Sequence, residues 1–210
     1  MFHQETLLQL MVDVAIVGAG PAGLACALEA RKAGLSCRVI DKGTVVDAIR
    51  RFPVNLTFFS TSDLLEIGGI PFLSSGFRPT RVEILRYYQR VAKERGLEIL
   101  PHTEVTAVRQ NGKGFELHTS AGAFPAWNVV VSTGYFDGPN PFDVPGTTLP
   151  KVRRYYDEPY AYVGRKVAVV GGKNSAVEVA LDLYRAGVDV TLIHRGKTFT
   201  DGVKYWILPD

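Results

Sequence analysis

Six residues carry the first chemical signal: Gly18-Ala19-Gly20-Pro21-Ala22-Gly23, placed directly after the apolar run Val14–Val17. Glycines at this spacing do three separate jobs. The first lets the chain turn sharply out of a strand, the second lets backbone approach a pyrophosphate, and the third lets the following helix pack tightly on the strand. The helix that starts at Pro21 offers N–H groups and a partial positive charge to phosphates. Asp41 closes the next apolar run, where a carboxylate bonds ribose hydroxyls, with Lys42 beside it. A glycine turn alone also occurs without a ligand. The preceding strand, the following helix and the acid beyond them point to a dinucleotide.

The chain writes this unit twice. With Gly18 laid over Gly171, VAIVGAGPAG (14–23) falls on VAVVGGKNSA (167–176), and KAGLSCRVIDKG (32–43) falls on RAGVDVTLIHRG (185–196) without a gap. The second copy thus offers Gly171, Gly172, Lys173, Asn174, Ser175 and Ala176 as a phosphate turn. Its strand ends on His194-Arg195 where the first ends on Asp41-Lys42. Loss of the carboxylate and gain of a guanidinium favour NADP(H), whose 2′-phosphate an arginine grips in two places. Lys173 stands where the first copy has its second glycine. Its Cβ would crowd a pyrophosphate, yet its ammonium could pair with the same phosphates, and both readings stay open.

The elements that must position these residues follow from the pattern. Strands are expected at 13–17 and 37–41, and helices at 22–33 and 81–96. The apolar face of the second helix reads as Val82, Leu85, Tyr88, Val91 and Ala92. Short strands at 104–109, 114–119 and 122–127 read as an antiparallel meander, and WNVVVSTG (127–134) as a separate buried strand. The fold class expected is α/β: two Rossmann-like units of three-layer ββα sandwich architecture, the second incomplete. The first spans 12–136 with the meander at 104–127, a Pro- and Gly-rich linker covers 137–164, and the second begins at 165. About fifty further residues would complete a second unit of ordinary size.

Composition excludes other classes. The 24 basic and 21 acidic residues are interspersed, which gives no nucleic-acid surface. No apolar stretch approaches membrane length, and the N-terminus lacks a signal-peptide pattern, so residues 1–10 read as an extension and the protein as cytoplasmic. Cys26 and Cys37 form neither a disulfide framework nor a metal knuckle and read as small core residues. His3, His102 and His118 are scattered singly, without metal-ligand spacing.

Two nucleotide turns with Ser132-Thr133-Gly134 between them suggest a flavin reduced by a nicotinamide. The order GAGPAG, STG, GGKNSA resembles thioredoxin-reductase-like flavoproteins. NLTFFSTSDLLEIGGIPF (55–72), GYFDGPNPFDVPG (134–146), GGKNSAVEVAL (171–181) and KYWILPD (204–210) are similar to the bacillithiol disulfide reductase family. The resemblance covers residues 12–210 and implies an FAD protein, a homodimer at full length, that uses NADPH to reduce a low-molecular-weight thiol disulfide. It implies FAD contacts from Gly18, Gly20, Pro21, Ala22, Gly23, Asp41, Lys42, Asn55, Val105, Thr133 and Gly134. It implies NADPH contacts from the second turn, His194 and Arg195. It also makes Lys173 an ordinary family feature. Two departures stand out. VRRYYDEPYAYVGRK (152–166) lacks the Cys-x-x-Cys pair of thioredoxin reductases, and Ala22 stands where some bacillithiol family members carry cysteine. The catalytic thiol therefore stays unassigned. Flavin-containing monooxygenases share the paired turns but expect a histidine after the linker, and residues 146–160 have none. A non-catalytic FAD-binding fragment is the other alternative. Phe58, Phe59, Tyr155, Tyr156, Tyr160 and Tyr162 read as packing or as the lining of a cleft.

Overall fold

The computed structural model describes residues 11–199 and 202–210, so the expected extension at 1–10, with His3, lies outside the described residues. The chain divides into two compact units, one of residues 1–51 and 60–141, the other of 52–59 and 142–210. Residues 52–59, read from sequence as part of the first unit, go with the second, as does most of the stretch read as linker.

In the first unit, β1 (Val12–Val17) runs parallel to β2 (Cys37–Ile40) on one side and to β6 (Gly122–Val131) on the other. With β3 (Ile99–Leu100), β4 (Val105–Asn111) and β5 (Gly114–Thr119) the sheet order is β3-β2-β1-β6-β5-β4. Alternate side chains of the central strands feed two cores. Val14, Ile16, Cys37 and Val39 pack with Ala27 and Ala30 of helix α1 (Pro21–Lys32). Ala15 and Ile40 pack with Leu117 and Phe124 of the meander strands. Helix, parallel sheet and meander thus form three successive layers, the arrangement expected from the sequence. Cys26 packs against the first of these cores and Cys37 lies within it, as their reading as core residues requires. Burial raises the Cys37 thiol above its ordinary range.

One expectation is corrected here. The strands read separately at 122–127 and 127–134 are a single ten-residue β6. Its first half pairs antiparallel with β5 and its second half parallel with β1, and Ala126 faces both Phe115 and Val12. Nor is the second half buried: Trp127 is 47% and Val131 69% exposed. Among the described residues no strand pairs with β6 beyond Ala126 on the side away from β1.

Helix α2 (Asp47–Arg50) is a single turn, and α3 (Arg81–Glu94) is the long helix expected near 81–96. Its buried face is rotated from the expected one: Ile84, Tyr87, Tyr88, Val91 and Ala92 are inside, whereas Val82 is exposed. The preceding loop causes the rotation. The Tyr87 hydroxyl donates to the Ile70 carbonyl at 2.8 Å and accepts from the Ile67 N–H at 2.8 Å, and the Tyr88 hydroxyl donates to the Leu65 carbonyl at 3.0 Å. Burial pushes the Tyr88 phenol up to about 12. The loop's carbonyls need these donors, because buried polar groups left unpaired are costly.

The second unit holds β7 (Lys166–Val170), α4 (Asn174–Arg185) and β8 (Asp189–Ile193), with β7 and β8 parallel. Val177, Leu183 and Val188 are buried. Both strands alternate between half-buried and exposed side chains, with Val170 of β7 at 55% and Ile193 of β8 at 49% exposure. Among the described residues the sheet has two strands and α4 covers one face, so alternate side chains face outward.

A capping box starts α3. The Glu83 carboxylate accepts from the backbone N–H of Thr80 (2.8 Å) and of Ser75 (2.7 Å) and from both hydroxyls, and it titrates at about 2 instead of 4.5. Because the folded value is depressed, the stabilisation is present above about pH 4.5 and is lost as the pH falls towards 2. Glu83→Gln should cost about 1 kcal/mol at neutral pH by thermal or denaturant unfolding. The gap to the unsubstituted chain should narrow below pH 4.5.

Candidate functional site

The first glycine turn is closed from both sides. Gly18 donates its N–H to the Ile40 carbonyl at 2.7 Å, which ties the end of β1 to the end of β2. Ser132, the residue after β6, shares its one hydroxyl proton between the carbonyls of Val17 (3.1 Å) and Gly18 (3.0 Å). Gly18 has φ +113°, and a Cβ there would lie 2.8 Å from the Ser132 carbonyl carbon. A Cβ on Gly23 would lie 2.7 Å from Ser132 Oγ and strike the Gly18 carbonyl oxygen. At Gly20 a Cβ would meet nothing within 4 Å. Two glycines are therefore demanded by the protein's own packing, whereas the third faces open space, as a residue left small for a ligand must. No side chain caps α1, and Pro21 occupies its first turn, so the helix N-terminus is presented with its charge unanswered.

Asp41 serves this turn as well as standing at the ribose position. Its Oδ2 accepts from the Ala19 N–H at 2.7 Å and its Oδ1 from the Gly43 N–H at 2.7 Å. A carboxylate has about four acceptor positions, so each oxygen keeps a lone pair for a hydroxyl. The Asp41 carbonyl accepts from the Thr103 N–H at 2.8 Å, and the Gly43 carbonyl from that of His102 at 2.9 Å. Val105, at the start of β4, follows two residues after Thr103, and its side chain packs against the core of the first unit. An open cleft of about 490 Å³ is lined by Lys42, Gly43, Asp47, Arg51, His102, Glu104 and Ser120. It lies at the C-terminal ends of parallel strands, the usual place for a ligand in such folds. Glycine turn, uncapped helix, acid with spare lone pairs and polar cleft all fit the pyrophosphate and adenosine of a dinucleotide.

An ion network flanks the cleft. Asp137 pairs with Arg51 at 2.5 Å and with Lys42 at 2.7 Å, and Arg51 and Arg50 both pair with Asp47. The two cations hold the Asp137 carboxyl down at about 2, and the Asp137 carboxylate raises Lys42. Lys42 thus reaches the cleft already paired. Thr133 and Gly134 are exposed just beyond Ser132, and Gly134 adopts φ +68°. Pro21 and Ala22 form the first turn of α1. Asn55 lies on the segment 52–59. It belongs to the second unit, where its amide donates to Asp182 of α4 at 3.2 Å.

The second turn repeats the first bond: Gly171 donates to the Ile193 carbonyl at 2.9 Å. Beyond that bond the copies part. Where Asp41 takes the Ala19 N–H, the His194 ring lies directly on Gly172, filling the place a Cβ would need, and stacks 5.9 Å from Phe199. Lys173 is the N-cap residue of α4 and is exposed, as are Ser175 and Arg195. Ala176 packs under Gly171. The Asn174 amide donates to the Gly202 carbonyl at 2.8 Å and accepts from the Lys204 N–H at 2.7 Å. Sequence reasoning missed Ser132, Asp137 and Arg51. The run STG pointed to the first, but the other two act through ion pairs between distant positions.

Comparison with known proteins agrees with this geometry. The family model for pyridine nucleotide-disulphide oxidoreductases matches residues 15–210. Bacilliredoxin reductase from Bacillus subtilis is 38% identical over 93% of this chain and 60% of its own length. The structure of bacillithiol disulfide reductase from Staphylococcus aureus superposes with a TM-score of 0.94 at 37% identity, over 96% of this chain and 62% of that one. Its counterpart from Bacillus cereus does so with 0.92 at 40% identity, over 95% and 63%. The chain thus spans about 60% of the length of the Bacillus subtilis relative and 58% of a second curated relative, a ferredoxin–NADP reductase from Ignicoccus hospitalis that is 28% identical over 90% of this chain. With a family model covering nearly all of it and a glycine turn of the required geometry in each unit, the chain belongs to the pyridine nucleotide-disulphide oxidoreductase family.

Proposed function

We propose that this chain holds FAD in its first unit and NADPH in its second, and that it belongs to an oxidoreductase that passes electrons to a bacillithiol-type disulfide. The observation that carries the reading is the unequal ending of two otherwise matching strand–turn–helix units. The first ends on a carboxylate with lone pairs to spare, which suits the free ribose hydroxyls of FAD. The second ends on a histidine packed over the turn and an exposed arginine, which suits a 2′-phosphate.

FAD, when bound, supplies the redox chemistry by accepting reducing equivalents and passing them on. The protein's own part is binding and orientation. Gly20 leaves room for the pyrophosphate, the α1 N-terminus offsets its charge, and Asp41 bonds the ribose. In the second unit Lys173 and the start of α4 neutralise a pyrophosphate, and Arg195 pairs with the 2′-phosphate. The names of the relatives, bacilliredoxin reductase and bacillithiol disulfide reductase, support the choice of a small thiol disulfide. The homodimer of the full-length protein and its placement in the cytoplasm are part of the same proposal. Among the described residues no helix is long and apolar enough to cross a membrane.

Gly20→Ala separates ligand space from folding. Because a Cβ there meets nothing within 4 Å, the variant should fold as the parent chain does and lose at most about 1 kcal/mol, the cost of alanine at the N-cap of α1. Its FAD affinity should nevertheless fall about tenfold or more. Unchanged affinity in a direct titration would remove Gly20 from the pyrophosphate site.

For the nicotinamide half, the FAD-loaded chain is mixed anaerobically with NADPH or NADH while the visible flavin absorbance is followed. NADPH should bleach it, and Arg195→Ala should raise the NADPH concentration required by about tenfold with little effect on NADH. Equal effects on both nucleotides would refute the arginine's role, and no bleaching by either would favour a non-catalytic flavin-binding fragment.

A further inference from the structure

The second unit contains a buried lysine that the dinucleotide reading does not use. Lys204 is 5% exposed. Its ammonium donates to the Thr57 carbonyl at 2.9 Å, pairs with Glu178 of α4, and lies 5.7 Å from the Trp206 ring. Two of its protons go to the Thr57 carbonyl and the Glu178 carboxylate, and the charge faces the indole ring.

The surroundings of Lys204 follow one face of α4. Asn174, Glu178 and Asp182 are four residues apart and so stand in line along the helix. Asn174 takes the backbone of Gly202 and Lys204, Glu178 takes the Lys204 ammonium, and Asp182 takes the Asn55 amide (3.2 Å) and the Tyr156 hydroxyl (2.7 Å). Two separate segments, 52–59 and 202–210, are therefore fastened to a single stripe of one helix. Further ties to the first segment are the Val54 N–H to the Asp157 carbonyl at 2.8 Å and the Phe59 ring 5.4 Å from Trp206. Lys204 joins three partners, through its backbone to Asn174 and through its side chain to Glu178 and Thr57. Asn174 is also the first residue of α4, one position after Lys173 in the turn that would receive phosphates.

We propose that Lys204 is a positioning residue for dinucleotide binding in the second unit: it locks segment 52–59 and Asn174 onto α4 and so sets the aim of that helix's N-terminus. The inference rests on the reading of residues 171–176 as a dinucleotide turn. A lysine serving stability alone would be replaceable. When both members of a buried ion pair become apolar residues of similar size, folding is often kept or improved. Such a replacement leaves the Thr57 carbonyl without its donor and the segment without its lock.

The test compares Lys204→Met and the double substitution Lys204→Met/Glu178→Leu with the unsubstituted chain. NADPH and FAD affinities, the unfolding temperature and the amide exchange of Val54 are measured on each. Both variants should lose about tenfold or more in NADPH affinity while FAD affinity holds, and Val54 should exchange faster. The double variant should recover the unfolding temperature but not the NADPH affinity. Should the single variant fail to fold, the double variant decides alone. Wild-type NADPH affinity in a folded variant would overturn the proposal, as would a double variant that recovers affinity together with stability. If the unsubstituted chain binds no NADPH, the dinucleotide reading fails by itself. Val54 exchange then decides the locking role: faster exchange in the variants supports it, and unchanged exchange overturns it.

Discussion

A single backbone hydrogen bond organises each half of this molecule: the N–H of the first turn glycine donates to the carbonyl that ends the neighbouring parallel strand. Gly18 reaches Ile40 at 2.7 Å, and Gly171 reaches Ile193 at 2.9 Å. The bond fixes where the chain leaves the sheet and hence where the following helix begins. It also brings the residue after the second strand next to the turn. Everything chemical in the reading depends on that juxtaposition, because the helix N-terminus and the strand end must address the same ligand.

From this shared frame the two units diverge through one side chain each. Asp41 answers the backbone N–H of Ala19 and keeps acceptor capacity for a ribose. His194 has no such reach; its ring rests on Gly172 instead, and the glycine is needed for that reason as much as for any ligand. The doubled glycine of the second turn, which in the sequence stands beside an intrusive Lys173, thus has an internal cause. The lysine itself is exposed at the helix cap, clear of the packing.

Both turns, their strands and their helices were legible because the constraints are local: a positive φ at Gly18, the contact of Gly23 with the Gly18 carbonyl, and a helix stop a few residues on. What was hidden depends on distant partners. β6 changes partner at Ala126, so one strand carries the patterns of two. The buried face of α3 turns because the loop carbonyls of Leu65 and Ile70 and the Ile67 N–H claim Tyr87 and Tyr88. The partners of the Asn55 and Asn174 amides, Asp182 for the first and residues 202 and 204 for the second, lie far along the chain from the motifs that carry them. No window of sequence shows that Lys204 meets Thr57 across so much intervening chain.

The central claim is that two dinucleotides occupy two different turns of one chain. Calorimetric titration of NADPH into protein already saturated with FAD tests it most directly. The account predicts one further equivalent bound with no FAD released. Displacement of FAD by NADPH, with both nucleotides competing for one site, would contradict it.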